Sequence, residues 1–323
     1  MNHKKILITG GVGFLGSNLT RRLLDENEIS LFVKPNTDLL RIEDIKNHPH
    51  IKIIGGDLLD AKLIEDAVID KDFIFHFAWQ TDLKKSMGQP LEDIKQDIGG
   101  LITLLESCKK VNSHVKIIFA STVTTIGEAS KIPSNEDEKE NPLSFYDANK
   151  LMAEKLLHLH YKNVNIKFSA LRLANIFGEY QKIDNPNRGV LNFMIGRALR
   201  GEPLTVYGQG DFIRDYNYVG NFIDAFILAA ESPITDGNVY VLGSGEGKTF
   251  LEVVEAIKKV VGEKTDKKVN IQFVETPSGS HVINKRNFIA DSLRFRVDTC
   301  WIPKISFDEG LEKTVEFYLK FHN

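Results

Sequence analysis

The chain is poor in cysteine: Cys108 and Cys300 are the two thiols among 323 residues. Two cysteines supply neither a disulfide framework nor a metal-ligating cluster, so both are expected to be buried free thiols, with no metal site and a reducing cytoplasm as the compartment. No apolar run approaches the roughly 18 residues of a membrane span. The charges nearly cancel, 41 Lys and Arg against 44 Asp and Glu, for a formal charge of −3. Neither nucleic acid nor an anionic membrane is therefore expected as the main partner. The first apolar run starts within a few residues of Met1, so no signal peptide is expected. Internal repeats and low-complexity linkers are also lacking. What remains is an ordinary globular composition, long enough for one large domain or two intertwined ones.

Short apolar runs alternate with helical stretches: "KKILITG", "SNLTRRLLDE", "ISLFVK", "IKIIGGD", "AKLIEDAVI", "DFIFHFA", "LITLLESCKK", "VKIIFAST", "YDANKLMAEKLLHLHY" and "IKFSALRLANIFG". Unbroken apolar strands between helices predict an α/β fold with a parallel sheet covered on both faces. After Gly178 the order loosens. "YQKIDNPNRG" reads as a loop, "VLNFMIGRALRG" as a helix, and "TVYGQGDFIRDYNYVGNFIDAFILAAES" as a hairpin-like stretch followed by a helix. The acidic run "SNEDEKEN" at residues 134–141 reads as a solvated loop.

In "ILITGGVGFLGSNL" a branched apolar strand stops at Thr9, and glycines follow at Gly10, Gly13 and Gly16. A strand, a glycine-rich turn and a helix present backbone N–H groups and a helix N-terminus to a pyrophosphate, which predicts a Rossmann-like dinucleotide site with Phe14 and Leu15 at its helix start. An NAD-type site ends its second strand on an acid for the adenosine ribose diol. Here "EISLFVKPN" carries Lys34 there, and no carboxylate comes before Asp38. A lysine suits a 2′-phosphate, so the reading leans to NADP, with NAD the alternative. Asp57, with Leu58 beside it, is placed to meet the adenine edge.

"YDANK" puts Tyr146 and Lys150 four residues apart, on one face of a helix. A phenol can pass a hydroxyl proton if a neighbouring ammonium lowers its pKa. With the glycine loop and "IIFASTVTTIG" preceding this pair, the chain resembles the extended short-chain dehydrogenase/reductase family, the nucleotide-sugar epimerases and dehydratases. "TGGVGFLG" is similar to that family's cofactor loop and "GDLLD" to its adenine-side motif. "FHFAW" is similar to its H-x-A-A motif, with Trp79 in place of the second alanine. "FASTVTTIG", "LRLANIFG", "VYGQGDFIRDYNYV" and "WIPKISFDEGLEKTVEFY" extend the resemblance over nearly the whole chain.

The resemblance implies roles. Tyr146 would be the acid/base, Lys150 would bind the nicotinamide ribose and lower the phenol's pKa, and Thr122 would hydrogen-bond the reacting oxygen. Phe77 and Ala78 would line the cofactor and Thr81 the substrate. Asn175 and Arg214, with Arg286 as a second phosphate contact, would hold the diphosphate of a nucleotide-sugar substrate. A two-helix interface would make a homodimer. The expected organisation is a Rossmann domain over 1–175, with 215–242 returning to it, and a smaller interleaved C-terminal α/β substrate lobe from 176–214 and 243–323.

Departures from the family pattern narrow the reaction. The 4,6-dehydratases follow the catalytic Thr with Asp and Glu; here Val123 and Thr124 stand there, and neither exchanges protons at neutral pH. A decarboxylase would want a glutamate in this segment, and a fucose-synthase-like enzyme a cysteine. The favoured reading is an NAD(P)-dependent 4-epimerase. The alternatives are an NADPH-dependent 4-keto-sugar reductase, which Lys34 and Trp79 fit, and an inactive cofactor-binding regulatory protein, against which the intact Thr122, Tyr146 and Lys150 set argues.

Overall fold

The computed structural model describes residues 1–186, 189–275 and 286–321. Its central sheet contains β1 (Lys5–Thr9), β2 (Glu28–Val33), β3 (Ile51–Gly55), β4 (Phe73–His76), β5 (Lys116–Thr122), β6 (Lys167–Leu173) and β10 (Asn238–Leu242). All neighbouring pairs are parallel, in the order β10-β6-β5-β4-β1-β2-β3. The order reverses at β1, so the crevice beyond the carboxyl ends of β1 and β4 is the place where such sheets receive ligands.

The strands are apolar throughout because both faces are covered. Ile6 and Ile8 pack with Leu19 and Leu23 of α1 (Phe14–Leu23) and with Phe222 and Phe226 of α8 (Val219–Glu231). Leu7, between them, points the other way. It packs with Ile64 of α2 (Ala61–Val68), Leu101 and Leu105 of α5 (Gly100–Val111) and Leu157 of α6 (Phe145–Val164). Alternate residues of one strand thus feed two cores, and each fully buried Leu, Ile or Phe contributes about 1.5–3 kcal/mol. Between β4 and α5 run α3 (Leu83–Gly88), α4 (Pro90–Ile94) and a π-turn at Lys95–Gly99.

A third core lies in the C-terminal part. β7 (Asn175–Phe177), β9 (Ile213–Tyr218) and β11 (Gly247–Thr249) form one small sheet, and β8 (Leu204–Tyr207) pairs in parallel with β12 (Ile271–Val274). Leu191 and Ile195 of α7 (Val190–Leu199), Val254 and Ile257 of α9 (Phe250–Thr265), and Leu311 and Val315 of α11 (Phe307–Phe321) fill that core. The remaining helix is α10 (Leu293–Thr299).

Four local expectations change. "IKFSALRLANIFG" is two strands rather than one: after β6 the Ala174 N–H crosses to Leu242 O at 2.8 Å, and the chain leaves for the small sheet as β7. The hairpin expected around "VYGQGDFIRDY" does not form, because β8 takes β12 as partner while β9 lies between β7 and β11. Cys300 is exposed, in a left-handed cap (φ +58°) at the end of α10, whereas Cys108 is buried and its thiol is pushed up to about 12. The acidic run is tied down: Glu136 accepts from Val241 N at 2.6 Å, and Glu140 pairs with Arg172 at 2.9 Å. Residues 187–188 of the loop expected near Gly189 lie outside the described residues. Among the described residues, no helix is long and apolar enough to cross a membrane, and no group of His, Cys, Asp or Glu is placed to hold a metal ion.

Candidate active site

The glycine loop joins β1 to α1. Gly10 has φ +69°, and a Cβ there would sit 2.8 Å from Ala78 N, so the loop lies directly against the end of β4. A Cβ on Gly16 would come within 2.5 Å of Gly10 O, so this glycine lets α1 close onto its own turn. What first excludes side chains here is the protein's own backbone. Gly13 is the helix N-cap; it supplies no side-chain cap, and the first turn holds no acid. The leading amides at Phe14, Leu15 and Gly16 are the ones a helix leaves without intrahelical partners, a fit for an anion. Leu58 packs against Gly100, and Asp57 is exposed, its carboxylate accepting from Leu59 N at 3.0 Å. Lys34 is exposed at the end of β2 and donates to Gln96 Oε1 at 3.4 Å. The uncapped amides suit the pyrophosphate of a dinucleotide.

Tyr146 and Lys150 lie on the first turns of α6, which Ser144 caps by accepting from Asp147 N. Thr122 ends β5, so the end of the sheet and the start of the helix bring all three residues together. The Lys150 ammonium is buried. It donates to Ala120 O at 2.7 Å and sits 4.0 Å from the Trp79 ring centroid, 4.5 Å from that of Phe119 and 6.0 Å from that of Tyr146. Burial pushes its pKa down, opposed by the charges of Asp97 and Glu154; the aromatic faces also favour the cation. Burial pushes the Tyr146 phenol up, with Asp147 and Asp97 adding to the rise, while Arg286 and the Thr122 hydroxyl oppose it. For the phenol, desolvation outweighs the opposing effects of Arg286 and Thr122. Val123 packs into the core, and Thr124 donates to Asp147.

Arg214 on β9 is buried, its guanidinium 5.4 Å from the Phe212 ring. Burial and the like charge of Arg286 push it down to about 10. Arg286 is pushed down by burial too, and its Nη1 is buried with no hydrogen-bond partner among the described residues. A dianion beside two neighbouring buried guanidiniums would relieve both the repulsion and the desolvation. Asn175 lies on the adjacent strand, where β7 pairs with β9. Asp215 faces the other way and is structural: it accepts from Ser244 N, Ser244 Oγ, Gly245 N and Ala290 N. Thr81 stays exposed in the loop before α3.

Sequence reasoning missed two buried acids. Asp97, in the π-turn, accepts from Gln80 N at 3.0 Å; burial pushes its carboxyl up, and Lys150 acts against that rise. Asp147 lies inside the "YDANK" segment itself, and nothing in the spacing announces that it folds back onto Thr124.

Known proteins are similar to this chain in sequence and in fold. The low-salt glycan biosynthesis protein Agl12 of Haloferax volcanii is 31% identical over 319 residues, 97% of this chain and 98% of that protein. A UDP-N-acetylglucosamine 4-epimerase from Methanobrevibacter ruminantium, solved with UDP-N-acetylmuramic acid, superposes with a TM-score of 0.89 at 30% identity, covering 99% of each chain. The UDP-glucose 4-epimerase of Thermotoga maritima, solved with UDP-glucose, gives 0.88 at 28% identity over 99% of this chain and 100% of that one. The sequence model of the NAD dependent epimerase/dehydratase family matches residues 6–243, a span that carries the glycine loop, Thr122, Tyr146, Lys150 and Arg214. The chain belongs to that family of nucleotide-sugar epimerases and dehydratases.

Proposed function

We propose that the chain is a UDP-hexose 4-epimerase that binds NADP in preference to NAD. The observation that carries this reading is the nearness of two clusters: Thr122, Tyr146 and Lys150 at the end of the sheet, and the buried guanidiniums of Arg286, whose charge acts on Tyr146, and of Arg214, on which Arg286 acts in turn. Arg214, Arg286 and Asn175 hold the diphosphate of the substrate. That leaves the sugar ring against Tyr146, with Thr81 at the rim. Thr122 orients the reacting oxygen and Tyr146 moves its proton. Lys150, fixed by Ala120 O and the Trp79 face, would bind the nicotinamide ribose. The bound dinucleotide would supply the hydride acceptor and donor, and Gly10, Gly13, Phe14, Leu15, Gly16, Lys34, Asp57, Leu58, Phe77 and Ala78 would hold it.

Residues 1–175, with 215–242, are read as the cofactor domain and the remainder mainly as the substrate lobe. Val123 and Thr124 argue against dehydration, since neither carries a carboxylate. One observation favours a second reading, a 4-keto-sugar reductase: the cation at Lys34 suits exchangeable NADPH, which a reductase consumes and an epimerase recycles.

Mass spectrometry of small molecules released from the native protein, followed by incubation with UDP-glucose and detection of UDP-galactose, tests both readings. Conversion without added cofactor supports the epimerase. Consumption of NADPH with a 4-keto sugar, and no interconversion of the hexoses, supports the reductase.

A further inference from the structure

Trp79 stands just beyond the end of β4, where the similar H-x-A-A motif has its second alanine. The backbone is pinned on both sides of it: Ala78 N donates to Thr9 Oγ1 at 3.3 Å, and Gln80 N to Asp97 Oδ1 at 3.0 Å. Its indole packs edge-on with the rings of Phe119, 5.3 Å away, and His76, 6.1 Å away. Held in this way, the indole has the Lys150 ammonium 4.0 Å from its ring centroid, nearer than the 4.5 Å to Phe119.

Lys150 is 3% exposed, so its charge has to be compensated from within the protein. Its hydrogen bond goes to a neutral acceptor, Ala120 O, at 2.7 Å. Among the described residues, no carboxylate forms an ion pair with this ammonium. The charges of Asp97 and Glu154 act on it from farther off. Asp97 is engaged by Gln80 N, and Glu154 by Arg172 at 2.7 Å. What touches the cation is therefore a carbonyl and aromatic faces, and an indole offers the strongest of such faces. The rest of the indole gains nothing, since Trp79 Nε1 is buried with no hydrogen-bond partner among the described residues. A phenylalanine would fill much of the same space without an unpaired donor, so the advantage of tryptophan here lies in its π face.

We propose that the Trp79 face stands in for a carboxylate beside the Lys150 ammonium and fixes that ammonium for the cofactor's ribose, which makes Trp79 a positioning residue. The inference deepens the ribose-binding role proposed for Lys150 and rests on it. The attraction is that of a cation for the electron-rich face of a ring, so draining the face should weaken it step by step. An alanine at position 79 has no face to offer.

Graded fluorination of tryptophan tests it, because each fluorine drains the face while the indole keeps nearly the same shape. The protein is made with tryptophan, with monofluorinated and with trifluorinated tryptophan, and its thermal midpoint is read without substrate or cofactor. Along this series the midpoint should fall further in wild type than in Lys150→Met, by about 1–3 °C. Trp301, the other tryptophan, carries the same label in both proteins, so its contribution cancels from the difference. Equal falls in the two proteins overturn the inference. The positioning role is read by calorimetric titration with NADP, or with NAD if wild type does not bind NADP. Trp79→Ala should weaken binding about fivefold or more, and Trp79→Phe, which restores a face but no N–H, should recover most of that loss. Equal losses in the two variants overturn the positioning role. If Trp79→Ala does not fold, the fluorinated proteins decide: affinity should fall with added fluorine, and an unmoved affinity overturns the role. If Lys150→Met leaves dinucleotide affinity unchanged, the ribose-binding reading of Lys150 fails, while the melting series still decides whether the face holds the charge.

Discussion

Burial acts on three groups of the cleft in the direction of the neutral form: Tyr146 and Asp97 are pushed up and Lys150 down. In the proposed reaction the phenol exchanges its proton with the reacting sugar oxygen. Tyr146→Phe removes that proton and leaves the ring's packing, so turnover of UDP-glucose should fall by about two orders of magnitude while circular dichroism stays that of the wild type. Near-wild-type turnover would remove Tyr146 from the chemistry. Lys34 tests the cofactor. Lys34→Asp replaces attraction by repulsion at the ribose 2′ position, so NADP affinity should drop by about 1–3 kcal/mol while NAD affinity holds or improves. The ratio of the two dissociation constants, before and after substitution, is the measurement; an unmoved ratio makes Lys34 an ordinary surface lysine. The Tyr146–Lys150 pair was legible because helix geometry alone places residues four apart on one face. Asp147 was not, since its contact with Thr124 spans 23 residues and depends on how β5 meets α6.

At the scale of the element, the strands of the central sheet were legible because burial on both faces leaves an unbroken apolar run. The small sheets were not. Whether "IKFSALRLANIFG" is one strand or two is decided at Ala174 by a bond to Leu242, 68 residues on, and nothing local reports it. The same holds for β9, whose partners β7 and β11 flank it from distant parts of the chain. That strand alternates its charges with purpose: Asp215 is locked inward by four hydrogen-bond donors, which leaves Arg214 on the cleft side beside Arg286. Arg214→Ala should therefore raise the KM for a UDP-sugar far more than it changes cofactor affinity, with a loss of about 1.5–3 kcal/mol for a charge-assisted hydrogen bond. Calorimetric titration with UDP checks this directly, and unchanged UDP affinity would return Arg214 to a structural role.

At the scale of the molecule, α6 has two faces with different destinies. Its inner face buries Asp147, Asn149, Lys150, Ala153, Glu154 and Leu157. Its outer face carries Phe145, Met152 and Leu159, exposed by 41%, 46% and 53%, and Ile102 of the adjacent α5 is exposed by 40%. The three residues of α6 recur every seven positions, so they form one nearly straight stripe along the helix, drifting only about 20° per repeat. An apolar stripe beside a second helix with an exposed isoleucine is what a two-fold helix-on-helix contact needs, since each copy then offers the other the same complementary ridge. We propose a homodimer through α5 and α6. Met152→Lys combined with Leu159→Lys would place two ammonium groups in that contact, facing the same two from the partner. Sedimentation should shift from dimer to monomer. The thermal midpoint should fall, because α6 carries Tyr146 and Lys150 on its other face and would lose its outer support. A wild type that sediments as a monomer, or a doubly substituted protein that still dimerises, would send the interface elsewhere and leave the stripe as exposed surface.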